Sequence, residues 1–162
     1  MDNLKQKSPR ESAIEVRYLV MPNHTNPFGT IFGGVIMSWI DIVGSMVAQR
    51  HSGMNVATAG IDSLTFKAPV YIGEHVILKA SVNYVGRTSM EIGVQVSKEN
   101  PITGEVIKTT TAYLTFVGLD ENKRPAPVPN LALETSDDKR RNENAQLRVQ
   151  TRKDLRAKLH KK

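Results

Sequence analysis

The chain has 162 residues, 40% of them hydrophobic and 23% charged, a size and composition typical of one soluble domain. It contains no cysteine, which excludes a disulfide scaffold, a thiolate zinc site and a cysteine nucleophile. The first residues lack the apolar core of a signal peptide, and no apolar run is long enough to span a bilayer. We therefore expect a cytoplasmic protein with no membrane partner.

The formal net charge of +6 is unevenly distributed along the chain. Ten Lys and Arg residues fall between Lys139 and Lys162, and the rest of the chain is close to neutral. A basic tail can bind nucleic acid, but a solvated extension explains it more simply, so no nucleic-acid partner is expected. We expect a flexible N-terminus (residues 1–11), a folded domain (12–128) and a basic C-terminal tail, partly helical or disordered (129–162).

The predicted elements follow the order β–α–β–β–β–β. The first strand (13–20) and a loop rich in Pro, Asn and Gly (22–34) precede a helix from about residue 34 to residue 50. Alternating apolar residues then predict strands at 55–66, 74–85, 89–99 and 105–119. In the strand 74–85 the alternation assigns one face to Val76, Leu78, Ala80, Val82 and Tyr84. One helix followed by an antiparallel meander predicts the α+β class.

The predicted helix is apolar on nearly every face and contains a single formal charge, Asp41. A helix that is apolar all round is buried on all sides, here by a sheet wrapped around it. Burying a lone carboxylate is costly and raises its pKa unless the group is paired or hydrogen-bonded. Two interpretations stay open: a structural carboxylate satisfied by Ser38, Ser45 or backbone amides, or a catalytic base or nucleophile in an apolar cleft.

The loop that leads into this helix contains Asn26 and ends at Gly33 and Gly34. The free N–H groups of a helix start can polarise a carbonyl, and glycines there let a ligand approach the backbone closely. The Asn26 amide can hold a carbonyl or a water molecule. The four histidines have no metal-ligand spacing, so we expect neither a metal site nor a cofactor.

Loop and helix together resemble the signature of hot-dog-fold acyl-CoA thioesterases, in the branch of the YciA-type and cytosolic (brain-type) acyl-CoA hydrolases. The matching pattern runs from Met21-Pro-Asn-His through Asn26, Gly29, Gly33-Gly34 and Met37 to Asp41. It continues in Phe66-Lys67-Ala-Pro69 and in Gly86-Arg87-Thr88-Ser89. The resemblance covers about residues 15–128, so the basic tail is not expected to belong to the shared pattern.

This resemblance implies a hot-dog fold, in which a five- to six-stranded antiparallel sheet wraps a long central helix. It implies a homodimer that joins two sheets, and we expect three dimers to form a hexamer. The implied activity is hydrolysis of acyl-CoA to a free acid and coenzyme A, as part of fatty acid metabolism. Asn26 and Asp41 match the family's catalytic pair, contributed to each site by opposite subunits, and Gly33 and Gly34 match its carbonyl-polarising amides. Whether Asp41 acts as base or as nucleophile stays open.

Coenzyme A carries three phosphate groups, so basic residues should line its path. Arg87 in its turn can pair with a phosphate, although a solvated hairpin arginine is the alternative. The candidate coenzyme A-binding residues are Phe66, Lys67, Arg87, Thr88 and Ser89, and the candidate acyl-pocket residues are Phe32 and Met37. Two other functions stay open: a non-catalytic hot-dog regulator that binds acyl-CoA, and a hot-dog hydratase or dehydratase.

Overall fold

A computed structural model describes residues 5–62 and 64–159, in which a long helix lies against a five-stranded antiparallel sheet. The helices are α1 (Pro9–Ser12), α2 (Gly33–Ser52) and α3 (Ser136–Leu159), and a 3-10 turn spans Pro22–His24. The strands are β1 (Ile14–Leu19), β2 (Asn55–Ile61), β3 (His75–Val85), β4 (Ser89–Glu99) and β5 (Val106–Leu119). Their order across the sheet is β1-β3-β4-β5-β2, which leaves β1 and β2 at the edges.

The core lies between α2 and the inner face of this sheet. On β4 the alternating residues Met90, Ile92, Val94 and Val96 are fully buried, as the sequence predicts. They face the buried side of α2, which carries Ile36, Ile40, Val43 and Val47. Gly44 allows the helix to approach closely, because a Cβ there would lie 3.0 Å from the Phe116 ring.

The predicted alternation along β3 is interrupted near its end. The register shifts between Val82 and Tyr84, so Tyr84 pairs with Glu91 and Val85 pairs with Met90. Because Met90 points into the core, Val85 shares the inner face and Tyr84 lies on the outer face with Glu91. The prediction that Tyr84 shares a face with Val82 is therefore wrong, and the cause is the bulge.

The helix α2 is not buried on all sides. One side packs on the sheet, while Met37, Ile42 and Met46 remain 43%, 50% and 42% exposed. These apolar side chains and the half-buried Asp41 lie on the side of α2 that turns away from its own sheet. The sequence-based expectation of complete burial by one sheet fails because five strands cover only one face of the helix.

Both described chain ends contact the folded domain. The Lys7 N–H donates to the Asn130 carbonyl at 3.1 Å, and Ser8 and Pro9 are buried. The basic segment forms α3, which lies on the outer face of the sheet, where the Arg148 Nη2 reaches the Glu91 Oε1 at 2.6 Å. Residues 1–4 and 160–162 of the predicted end segments lie outside the described residues. No helix among the described residues is long and apolar enough to cross a membrane.

Candidate active site

The Asp41 carboxylate is held by one residue of the edge strand β2. The Thr58 Oγ1 donates a hydrogen bond to Asp41 Oδ1 at 2.8 Å. Neither serine proposed as a structural partner donates a hydrogen bond to Asp41, because the Ser38 and Ser45 hydroxyls each donate to a carbonyl of their own helix at 2.7 Å. The other carboxylate oxygen, Oδ2, accepts no hydrogen bond from the described residues. The carboxylate is thus oriented but keeps an oxygen that can take a proton or attack a carbonyl carbon.

Thr58 is the residue that sequence reasoning missed. A threonine in a strand is ordinary, since β-branched residues favour strands. Its role depends on the edge strand β2 lying beside α2, a contact between residues 17 positions apart. Periodicity within either element gives no signal for such a contact.

Asn26 uses its side chain to shape the loop before α2. Its Oδ1 accepts hydrogen bonds from the Phe28 and Thr30 N–H groups at 2.9 and 3.3 Å, and its Nδ2 donates to Thr30 Oγ1 at 2.8 Å. An amide nitrogen has two donor hydrogens, so one N–H of Asn26 remains for a ligand. The loop therefore fixes the amide in one orientation, which is what a positioning group requires.

The first turn of α2 exposes backbone donors between two aromatic rings. The N–H groups of Gly33 and Gly34 donate to no acceptor among the described residues, and Phe32 at the N-cap provides no side-chain cap. A Cβ on Gly34 would lie 2.6 Å from the Phe32 ring, and one on Gly33 would lie 3.3 Å from the Phe66 ring. Glycine at both positions lets these rings flank the free N–H groups, so the site can receive a developing negative oxygen.

Helical spacing orders the candidate residues along α2. Gly33, Met37 and Asp41 follow one another at intervals of four residues, so they lie on one stripe of the helix. Eight residues of helix place Asp41 about 12 Å along the axis from Gly33. Within one subunit, the carboxylate and the helix start are therefore too far apart to act on the same thioester bond.

Arg87, Thr88 and Ser89 form the turn between β3 and β4. The Gly86 N–H donates to the Ser89 carbonyl at 2.8 Å, and the exposed Arg87 side chain has no ion pair with the described residues. The register places Met90, Phe116 and Thr58 in one row across β4, β5 and β2. The turn thus begins one residue beyond the row that contains the partner of Asp41.

Lys67 lies elsewhere in the same subunit. Its N–H donates to the Thr109 carbonyl at 3.0 Å, whereas Ser89 pairs with Val117 at the other end of β5. Eight residues of strand separate Thr109 from Val117, about 26 Å along β5. One subunit therefore does not bring Lys67 and Arg87 together. No group of three or more His, Asp or Glu side chains that could hold a metal ion occurs in residues 5–62 and 64–159.

Comparison with known proteins assigns the chain to a family. Residues 28–105 match the family model of the thioesterase superfamily. The acyl-CoA thioester hydrolase YkhA of Bacillus subtilis is 39% identical over 138 residues, 85% of this chain and 80% of the relative. The chain belongs to the acyl-CoA thioester hydrolases of this superfamily. The predicted family, its hot-dog fold and its acyl-CoA-hydrolysing activity are confirmed.

Solved structures extend the likeness to nearly the whole chain. A hexameric acyl-CoA thioesterase superimposes with a TM-score of 0.91 at 38% identity, covering 95% of this chain and 99% of its own. The acyl-CoA hydrolase of Staphylococcus aureus, in complex with butyryl coenzyme A and coenzyme A, gives a TM-score of 0.88 at 35% identity, with 94% and 93% covered. Coverage of 95% leaves about eight residues unmatched, fewer than the 24 residues of α3. The structural match thus extends into α3.

Proposed function

We propose that two copies of this chain form each acyl-CoA-hydrolysing site, with Asp41 from one subunit and the α2 start of the other. The observation that carries the proposal is the separation of about 12 Å between Asp41 and the free N–H groups of Gly33 and Gly34 within one helix. A two-fold axis that sets two α2 helices antiparallel brings each Asp41 toward the partner's helix start. Asn26 lies in the loop before that start and would orient the thioester or the water.

The outward surface of the chain supports this assembly. Ile42 and Met46 on α2 are half exposed, and β2 beside them is an unpaired edge strand. Contiguous exposed apolar side chains mark interaction surfaces, and a bare strand edge is a template for pairing with another strand. Covering this face would also desolvate Asp41, which favours catalysis by a carboxylate. A matched solved structure is described as hexameric, which supports three such dimers as the assembly.

A related enzyme supports the assignment of the three polar residues. Structures of the Staphylococcus aureus acyl-CoA hydrolase have been solved for variants in which an asparagine, an aspartate or a threonine is replaced by alanine. These residues are 15 and 17 positions apart, the same spacing as Asn26, Asp41 and Thr58. We assign the same three positions here to positioning, to base or nucleophile, and to orientation of the carboxylate.

The chemistry follows from these placements. The thioester carbonyl accepts hydrogen bonds from the Gly33 and Gly34 N–H groups, which stabilise the oxyanion that forms on attack. Asp41 either takes a proton from the attacking water or attacks the carbonyl itself and forms a mixed anhydride. Arg87 at the β3–β4 turn binds a phosphate of coenzyme A, Phe66 contacts coenzyme A, and Phe32 and Met37 line the acyl path. A rat relative, 32% identical over 126 residues, is named a cytosolic enzyme, which supports action in the cytoplasm.

Release of free thiol from acyl-CoAs of several chain lengths tests the proposal. The wild-type chain should hydrolyse at least one of them, and Asp41→Asn should lower kcat by about 10²-fold or more while remaining folded. Glu143→Gln, which removes an exposed carboxylate on α3, is the control and should keep full activity. Near-normal turnover of a folded Asp41→Asn would contradict the assignment. Acyl-CoA binding without thiol release by the wild-type chain would favour a regulator.

A further inference from the structure

A polar cavity lies on the outer face of the sheet, under α3, and no step of the proposed reaction uses it. It has a volume of about 520 Å³, is open to solvent on one side, and is lined by residues of β1, β3, β4, β5 and α3. We call it the outer cavity. The sheet itself separates it from α2 and Asp41, which lie on the inner face. Its volume falls in the range of about 300–1,000 Å³ that is typical of small-molecule sites.

Asn83 and Thr111 place polar groups in the wall of the outer cavity. Asn83, which lines the cavity, is only 4% exposed. The amide packs directly against Gly93, since a Cβ added to Gly93 would lie only 2.5 Å from Asn83 Nδ2. The Thr111 Oγ1 is buried without a partner. Buried polar groups are nearly always hydrogen-bonded, so the Thr111 hydroxyl points to a polar occupant of the cavity.

The charges around the outer cavity favour an anion. Five cationic side chains line it, whereas Glu15 is the one carboxylate in its lining among the described residues; the cations are Lys79, Lys108, Arg140, Arg141 and Arg148. Lys79 pairs with Glu15 at 3.4 Å, Arg140 and Arg141 pair with Asp137, and Arg148 pairs with Glu91.

Lys108 has no ion pair within the described part of the chain, and Asp137 is shared by two arginines. Five cations against three carboxylates leave a surplus of about two positive charges. Such a surplus suits a dianion better than a single carboxylate.

We propose that the outer cavity binds a small phosphate-bearing anion, independently of the acyl-CoA site. A phosphate dianion matches the surplus charge, and its oxygens can accept hydrogen bonds from Lys108 Nζ and Thr111 Oγ1. The arginines of α3 complete the cationic rim.

Calorimetric titration of the full chain with inorganic phosphate, at constant ionic strength in chloride, tests the proposal. We expect saturable binding that raises the melting temperature. Lys108→Gln and Thr111→Val should each raise the dissociation constant about tenfold, which is the effect of losing one charge-assisted hydrogen bond. Lys153→Gln, which removes an exposed lysine of α3 outside the cavity, is the matched control and should bind like the wild type.

The melting temperature without phosphate shows whether a variant loses a ligand contact or loses stability. Thr111→Val removes an unsatisfied buried hydroxyl without changing shape, so it should leave the melting temperature equal or higher although phosphate binding is weaker. Arg87→Ala separates the outer cavity from the coenzyme A site, since it should leave phosphate binding intact. Three results would each overturn the proposal. The first is phosphate binding that is lost in Arg87→Ala but kept in Lys108→Gln. The others are a Lys153→Gln variant that binds as weakly as Lys108→Gln, and a wild-type chain that does not bind phosphate.

Discussion

Arg148→Met is expected to destabilise the chain strongly, because Arg148 compensates a buried carboxylate. Glu91 on β4 is 1% exposed and lies under α3. The Arg148 Nη2 and Nε donate to its Oε1 at 2.6 and 3.2 Å, and the guanidinium lies 3.6 Å from the centre of the Tyr113 ring. The next cation, Arg152, approaches Glu91 Oε2 only to 3.6 Å and is engaged by Asp62 at 2.6 Å.

These contacts set the magnitude. Removing one partner of a buried ion pair costs about 3–5 kcal/mol, and the lost cation–π contact adds about 0.5–2 kcal/mol. Arg152 recovers part of the attraction, and Arg148 itself is partly solvated, so we expect a loss of about 3 kcal/mol in the free energy of unfolding. Replacing Glu91 as well, in the double variant Glu91→Met with Arg148→Met, removes the uncompensated charge and should be less destabilising than Arg148→Met alone.

Urea unfolding followed by circular dichroism, at one fixed protomer concentration, measures the effect. Arg156→Met, which removes an exposed arginine without an ion pair among the described residues, should change the free energy of unfolding by less than about 0.5 kcal/mol. If Arg148→Met costs no more than Arg156→Met, the contact between α3 and Glu91 does not stabilise the fold. The same contact predicts that a chain ending before Ser136 loses stability, whereas the sequence alone predicts a removable tail.

Three further predictions concern the site and the core. Thr58→Val should lower kcat about tenfold by removing the hydrogen bond to Asp41, and Thr58→Ser should retain activity; thiol-release kinetics on both variants check this. Arg87→Ala should raise KM for acyl-CoA more than it lowers kcat, and equal losses on acyl-CoA and on acyl-pantetheine would make Arg87 structural. Burial lowers the pKa of His51, against a smaller opposing effect of its hydrogen bond to the Pro129 carbonyl. Below about pH 6.5 the unfolded chain takes up a proton that folded His51 does not. The free energy of unfolding should therefore decrease as the pH is lowered through this range. His51→Gln should flatten this slope, and an unchanged slope in urea titrations would contradict the assignment.

Local sequence patterns correctly predicted most of the helices and strands of the domain. The predicted strand 89–99 coincides with β4, because its two-residue alternation and the bounding turns are properties of the strand itself. The helix α2 begins and ends within two residues of its predicted limits, with Gly53 in the left-handed conformation at its C-cap. The resemblance to the family then predicted that the sheet wraps around the helix, which periodicity alone does not specify.

The features that the sequence did not predict depend on contacts between distant elements. The bulge that turns Tyr84 outward forms only when β3 pairs with β4, and Thr58 meets Asp41 only when β2 closes the sheet edge. The helix α3 lacks a strong apolar stripe and buries Ala145 alone, so hydrophobic periodicity gives no sign of its docking. Its anchors are arginines, whose carboxylate partners lie 57 and 90 residues away.

Subunit complementation tests whether Asn26 and Asp41 act across the proposed interface. Asn26→Ala and Asp41→Ala proteins are mixed under conditions that exchange subunits. Random mixing makes about half of the dimers mixed, and each of these holds one intact site, so about a quarter of wild-type activity should return. Because Thr58 contacts Asp41 within one subunit, mixing Asp41→Ala with Thr58→Ala leaves every site damaged and should restore nothing. If mass spectrometry confirms exchange and the first mixture stays inactive, Asn26 and Asp41 serve one subunit, and the separation along α2 must be bridged in another way.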